Sequence, residues 1–223
     1  MAAQLARGVA LDTAMKSVDE RMVEVQVLSF TGPRQGVRVE AMLASRFCAQ
    51  IAKPRLTAVG AFAQGQRSWI VLAEPFAPVV GLTRQQTAQR MLALVNGARA
   101  ESRRCGDKVY AAAPPVRWNS TLERAASGHA VDMAQNNYFS HTGRDGASPA
   151  QRVARAGYRY RMTGENIAAG QTTPEQAVGG WIKSPGHCAN LMNSGYSEMA
   201  VAHATNARSA LGVYWVQQFG APR

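Results

Sequence analysis

Three short polar clusters limit the folds open to this chain: Asn137-Tyr138-Phe139-Ser140-His141, Gly164-Glu165-Asn166-Ile167 and Ser184-Pro185-Gly186-His187-Cys188-Ala189-Asn190. Each reads as turn-rich, and together they hold two histidines and a carboxylate, the ingredients of a shared polar site. The spacings are 24 residues from His141 to Glu165 and 22 from Glu165 to His187. Those distances are too long for a local metal-binding loop, so only tertiary structure can join the three.

Composition narrows the classes. At 223 residues with 46% hydrophobic content the chain can bury one or two cores. Its formal net charge is +11 and its isoelectric point about 10.3, which favours acidic partners such as anionic lipid or a cell-wall polymer. The basic residues are dispersed, with no run of five and no interleaving with aromatics, so no specific nucleic-acid partner is expected. No apolar run approaches the roughly 18 residues needed to span a membrane. Residues 1–10 lack the charged start and apolar core of a signal peptide. There is no Gly-x-Ser-x-Gly elbow and no glycine-rich phosphate loop.

Periodicity gives a helix over 4–17, a β-prone run over 22–30, a turn at Thr31-Gly32-Pro33, a helix over 37–52, and strands over 56–63 and 68–72. An internal repeat is expected here. Gly8-Val9-Ala10-Leu11-Asp12-Thr13-Ala14 matches Gly128-His129-Ala130-Val131-Asp132-Met133-Ala134 at an offset of 120, and from Arg21 onward the offset is 140, pairing Cys48 with Cys188. Ala58-Val59-Gly60-Ala61 falls on Ala200-Val201-Ala202-His203, and Phe76 on Phe219. The change of offset, 140 − 120, leaves twenty residues missing from the first copy, in the region that holds His141 in the second. Val25 stands at the place of Glu165 and Phe47 at that of His187, so the first copy has the scaffold without the site. The expected organisation is a shortened repeat over 1–80, a linker over 81–88 and the site-bearing domain over 89–223.

In that domain Thr83 reads as an N-cap for a helix over 84–101. Ser120-Thr121-Leu122-Glu123 reads as a capping box for a helix on which His129 is a packed core residue. Thr173-Pro174-Glu175-Gln176 opens another helix, which must stop before Pro185. Segments 198–204 and 211–219 read as paired strands. Cys105 and Cys188 are expected to form a disulfide that staples the loop before the site helix to the site. Cys48 is left over, its counterpart partner falling upstream of Met1.

Residues 137–143, Tyr158, 164–170, 181–190 and 197–202 are five ordered motifs between about 89 and 219, and together they resemble the CAP superfamily of cysteine-rich secretory, antigen 5 and pathogenesis-related proteins, most of all its bacterial extracellular branch. The resemblance implies an α+β fold, an α-β-α sandwich with helices around a central antiparallel sheet. It implies a secreted or periplasmic protein, expected to be a monomer. It also implies a cleft of two histidines and two acids. Three of these carry over as His141, Glu165 and His187, with His187 in the strand or turn after the tryptophan helix. Many members place a second acid three residues after that tryptophan; here Trp181 is followed there by Ser184. Glu198 is the nearest later carboxylate, and Ser140, Asn166, Asn190 and Glu198 are candidate supporting residues.

Two imidazoles and a carboxylate suit Zn²⁺ or a similar divalent ion with one position open to water, and the same trio without metal suits acid–base work. The leading expectation is a protein that binds a metal ion or small ligand in the His141–Glu165–His187 cleft. The alternatives are a metal-assisted hydrolase of peptide or ester bonds, with those three residues catalytic, and a lipid-binding or cell-envelope interaction module.

Overall fold

The structure is a computed structural model and describes residues 1–18, 21–32 and 36–223. The chain forms two compact units, Met1–Ala77 and Pro78–Arg223. Helix and strand are mixed in both.

In the first unit, α1 (Ala2–Ala6) and α2 (Leu11–Lys16) replace the single helix expected over 4–17. The break falls at Gly8, whose φ of 81° lies in the left-handed region that ends helices. Strand β1 (Met22–Thr31), helix α3 (Gly36–Ile51), and strands β2 (Ala58–Gln64) and β3 (Arg67–Pro75) follow. Pro33 of the expected turn lies outside the described residues. The sheet has the order β1-β3-β2, antiparallel throughout. Leu28, Phe30, Val71, Leu72 and Ala73 are its buried apolar residues.

The second unit opens with α4 (Arg84–Arg99), on the helix expected over 84–101, and that helix takes up residues 84–88 of the expected linker. Thr83 caps it in a reciprocal capping box with Gln86. A short hairpin of β4 (Arg103–Cys105) and β5 (Lys108–Tyr110) leads to β6 (Arg117–Trp118) and α5 (Ser120–Asn136). The cap of α5 is Asn119, one residue before the expected Ser120: its Oδ1 accepts from the amides of Thr121 and Leu122. Glu123 is drawn instead to Arg84 at 2.6 Å and to Trp118 Nε1. Helix α6 (Pro149–Arg155), strand β7 (Tyr160–Ala169), helices α7 (Pro174–Lys183) and α8 (Pro185–Leu191), and strands β8 (Glu198–Thr205) and β9 (Val213–Pro222) complete it.

The sheet order is β6-β8-β9-β7, with β6 parallel to β8 and the other pairs antiparallel. Short β6 therefore makes mixed a sheet expected to be antiparallel. Helix α5 lies on one face, where Ala126, Ala130 and Met133 meet Ile167, Tyr214 and Val216. The other face carries Met91 and Val95 of α4, Trp181 of α7 and Leu191 of α8 against Met199, Trp215 and Phe219. This is the α-β-α sandwich expected from the resemblance. Burial of so many large side chains, each contributing on the order of 2 kcal/mol, gives the site a rigid frame.

The two sheets share a register. In the first, Val25 and Ala58 flank Ala73; in the second, Glu165 and Ala200 flank Gln218. The offsets are 165 − 25 = 140, 200 − 58 = 142 and 218 − 73 = 145, and each holds along the strand. By the last of these, Glu74 and not Phe76 occupies the place of Phe219. The difference comes from the loop between the last two strands, which is three residues longer in the second unit (145 − 142).

Candidate functional site

The site forms around β7, an edge strand. The Gly164-Glu165-Asn166 phrase, which reads as a turn, is the middle of this strand. Gly164 is there for space: a Cβ would collide with the Tyr196 hydroxyl and Asn190 Oδ1. Because side chains alternate along a strand, Glu165 points to one face and Asn166 to the other.

Glu165 is held on both carboxylate oxygens. Oε1 accepts from His141 Nδ1 at 2.8 Å. Oε2 accepts from the Arg152 guanidinium at 2.7 Å and from Gln218 Nε2. The Glu165 side chain is 1% exposed, whereas that of His141 is 48% exposed. With Nδ1 committed to Glu165, Nε2 is the ring nitrogen of His141 left for another partner.

The loop that carries His141 is fixed from several sides. Asn137 ends α5 in the left-handed conformation, φ 52°, and its Oδ1 accepts from the Ala210 amide at 2.7 Å. The Tyr138 hydroxyl donates to Asp132, and burial together with that carboxylate pushes the phenol up to about 12. His129 is buried in α5 as expected, and it also braces this loop, because its Nε2 donates to the Ser140 carbonyl at 2.8 Å, one residue before His141. Burial holds the His129 imidazole below its ordinary pKa, hence neutral. Ser140 Oγ accepts from the Thr142 amide and shapes the turn.

His187 lies in α8, not in a strand or turn as expected, because Pro185 stops α7 and starts the next helix at its first position. Its carbonyl accepts from Asn166 Nδ2 at 3.2 Å. Behind it runs a chain of amides: Tyr196 Oη donates to Asn190 Oδ1, Asn190 Nδ2 to Asn166 Oδ1, and Asn166 Nδ2 also to Gln217. Arg99, fully buried, anchors the following turn by donating to the carbonyls of Leu191, Asn193 and Tyr196, and to Pro114. Burial, and then the neighbouring His141, lower the pKa of His187. The adjacent Cys188 forms the disulfide with Cys105, Cα atoms 5.4 Å apart. Cys48 is free and exposed.

Glu198 belongs to another cluster, where its Oε2 accepts from Tyr158 Oη at 2.6 Å and from Asn119 at 3.1 Å. Among the described residues no three His, Cys, Asp or Glu side chains converge as a metal-binding set. Glu165, with both oxygens occupied beside a guanidinium, does not fit as a direct ligand. It fits the outer role in which a carboxylate orients a ligating imidazole. His141, bonded to that carboxylate, and His187, which feels the charge of His141, are the two imidazoles left for the inner role.

Arg152 and Gln218 were not singled out by sequence reasoning. A signal for the first existed in Ser148-Pro149-Ala150-Gln151, a capping box that opens α6 and so places Arg152 on a helix. Nothing local distinguishes Arg152 from Arg155, which pairs with exposed Asp145.

The profile of the cysteine-rich secretory protein (CAP) family matches residues 92–219, more than half the chain. The chain is 35% identical over 105 residues to uncharacterized protein YkwD of Bacillus subtilis (strain 168), 47% of this chain and 39% of that protein. It is 36% identical over 86 residues to uncharacterized membrane protein YlbC of the same strain, 39% of this chain and 25% of that one. The chain thus spans well under half the length of either relative. Among solved structures it is similar to an extracellular protein containing an SCP domain from Bacillus anthracis, with 20% identity and a TM-score of 0.48 over 78% of this chain and 70% of that one. It is also similar to an outer surface protein of Borrelia burgdorferi, with 23% identity and a TM-score of 0.45 over 50% and 80%. On the family match, which covers α5, the His141 loop, β7, α7, α8 and β8, the chain belongs to the cysteine-rich secretory protein family.

Proposed function

We propose that this chain is a secreted CAP-domain protein that takes up a divalent metal ion such as Zn²⁺, or a small polar ligand, between His141 and His187, and that residues 1–77 are a copy of the fold without the site. The observation that carries the reading is the His141 Nδ1–Glu165 bond at 2.8 Å, with Glu165 pinned by Arg152 and Gln218. It presents Nε2 outward in one tautomer, the state that a ligating imidazole needs. A bound divalent ion would supply a Lewis acid and an activated water. The residues present hold and orient the imidazoles. The +11 charge supports attachment to an anionic cell envelope. The disulfide supports an oxidising compartment, and among the described residues no helix is long and apolar enough to cross a membrane.

Calorimetric titration of metal-free protein with Zn²⁺ tests the reading. Stoichiometric binding by the wild type, lost in His141→Ala/His187→Ala, is expected and would justify a hydrolase screen. A wild type that takes up no metal would sink it.

A second reading rests on a separate cavity of about 640 Å³ between α4 and the start of α7, lined by Leu82, Ala93 and Pro174 among others and bridged by Arg90–Glu175 at 2.5 Å. Its size is that of a small-molecule pocket, and its apolar lining suits an acyl chain. Native mass spectrometry with a fatty acid should show a 1:1 complex that Ala93→Trp abolishes and His187→Ala preserves.

A further inference from the structure

Among the described residues three buried polar atoms without a hydrogen-bond partner belong to side chains tied to Glu165 by a bond or by its charge: Arg152 Nε, Gln218 Oε1 and His129 Nδ1. Arg152 and Gln218 meet at the same oxygen, Glu165 Oε2. His129 lies on the α5 face whose Ala126, Ala130 and Met133 cover Tyr214 and Val216, and Gln218 is the next residue of β9 on that face. The His129 ring is close enough to feel the charges of both Glu165 and Arg152.

The roles of the three atoms are fixed by their other bonds. Arg152 Nε–H can only donate. Gln218 Nε2 is committed to a carboxylate, so its Oε1 can only accept. His129 Nε2 carries the proton, because it faces the Ser140 carbonyl, so Nδ1 of the neutral ring also accepts. The group that satisfies all three must accept once and donate twice. A metal cation has nothing to offer Arg152, and a halide has no proton for Gln218 or His129. Water has one lone pair and two O–H bonds for these contacts, and about three bonds is the usual complement of a buried water. Leaving the three atoms bare would forfeit the hydrogen bonds that each makes to water in the unfolded chain.

We infer that a single buried water occupies a site formed by Arg152 Nε, Gln218 Oε1 and His129 Nδ1, joining α5, α6 and β9 behind the His141–Glu165 pair. It completes a continuous network from the Ser140 carbonyl through His129, water, Arg152 and Gln218 to Glu165 and His141. His129 is then a positioning residue at two points, the backbone next to His141 and the support of Glu165. This holds whatever the cleft binds, so failure of the metal reading would leave it standing.

Two measurements on the metal-free wild type test it. The first is ¹⁵N NMR of protein labelled in histidine. The Nδ1 signal of His129 should be displaced from the position of a free, unprotonated imidazole nitrogen toward that of a hydrogen-bonded acceptor, with the proton on Nε2. A free-nitrogen position, or a protonated Nδ1, would overturn the inference. The second is a crystal structure at near-atomic resolution, where one density peak should lie about 2.6–3.2 Å from all three atoms. An empty space there, or a protein group bonded to Nδ1, would also overturn it.

Discussion

The two units share a strand order and a register yet differ in the row that carries the chemistry. Where the second unit sets Glu165 beside Gln218, the first sets Val25 beside Ala73. Where the second has Asn166 beside Gln217, bonded through their amides, the first has Gln26 beside Leu72. Phe47, which the sequence offset sets against His187, packs on Phe30, ring centroids 6.4 Å apart. The sheet alone is therefore insufficient for a site. The acid and its amide donor differ together, because either one left alone would be a buried polar group short of a partner.

The largest test of that contrast is the disulfide. It closes a loop of 83 residues within the second unit, and Cys105→Ser/Cys188→Ser should lower that unit's stability by roughly 4–5 kcal/mol through the entropy returned to the unfolded chain. Hydrogen exchange read peptide by peptide should show lost protection over 78–223 and none over 1–77. Equal loss in both would mean that the units do not fold separately.

Next in size is Glu165→Gln. The amide cannot accept from both His141 and Arg152 as the carboxylate does, so His141 loses its orienting partner. Zn²⁺ affinity measured by calorimetry should fall about 10–100-fold. An unchanged affinity would mean that the acid, absent from the first unit, is not what separates the two.

How far this contrast was legible in the sequence depended on how local its causes are. Thr83, Thr173 and Pro185 act within one turn of helix, and the helices they start or stop lie where expected. Gly164 misled because its reason is distant: it clears Tyr196 and Asn190, 32 and 26 residues away, and so sits in a strand while resembling a turn. Asn119 and Ser120 are both good caps, and only the backbone angles choose between them. His141, Glu165 and His187 stood out by residue type and phrase, and the structure brings the first two into contact. Arg152 and Gln218 did not stand out, because an ion pair across thirteen residues and a cross-strand amide leave no periodicity. The offset of 140 read from the sequence equals the spacing of Val25 and Glu165 in the two registers, whereas the pairing of Phe76 with Phe219 differs from them by two residues, after a loop of different length.

Acid should separate the units more gently. All four histidines lie beyond residue 128, and burial lowers the pKa of His129, His187 and His203. With folded values below the unfolded value of about 6.5, the unfolded chain binds more protons in that window. Stability is then fully present above about pH 6.5 and is lost as the pH falls through the folded values. Between pH 7 and 5, exchange protection corrected for intrinsic rates should decline over 78–223 and hold over 1–77, where Glu24, held below its ordinary value by Lys53, keeps its charge throughout that range. A parallel decline in both units would assign the acid sensitivity to carboxylates instead.

The smallest expected effect is the most specific. Val25→Glu/Phe47→His, made on a His141→Ala/His187→Ala background, places an acid on β1 and an imidazole on α3 of the first unit, at the positions that the sequence offset matches to Glu165 and His187. Calorimetry should detect no Zn²⁺ binding. The stretch between Asp12 and Arg21 is too short to hold a loop and helix like those that supply His141 and Arg152 in the second unit, and Ala73 has no amide for the new carboxylate. If metal binding did appear, one side chain on the sheet and one on the helix would be enough. The loop, α6 and the Arg152–Gln218 clamp would then be supports for a site that the scaffold can make by itself.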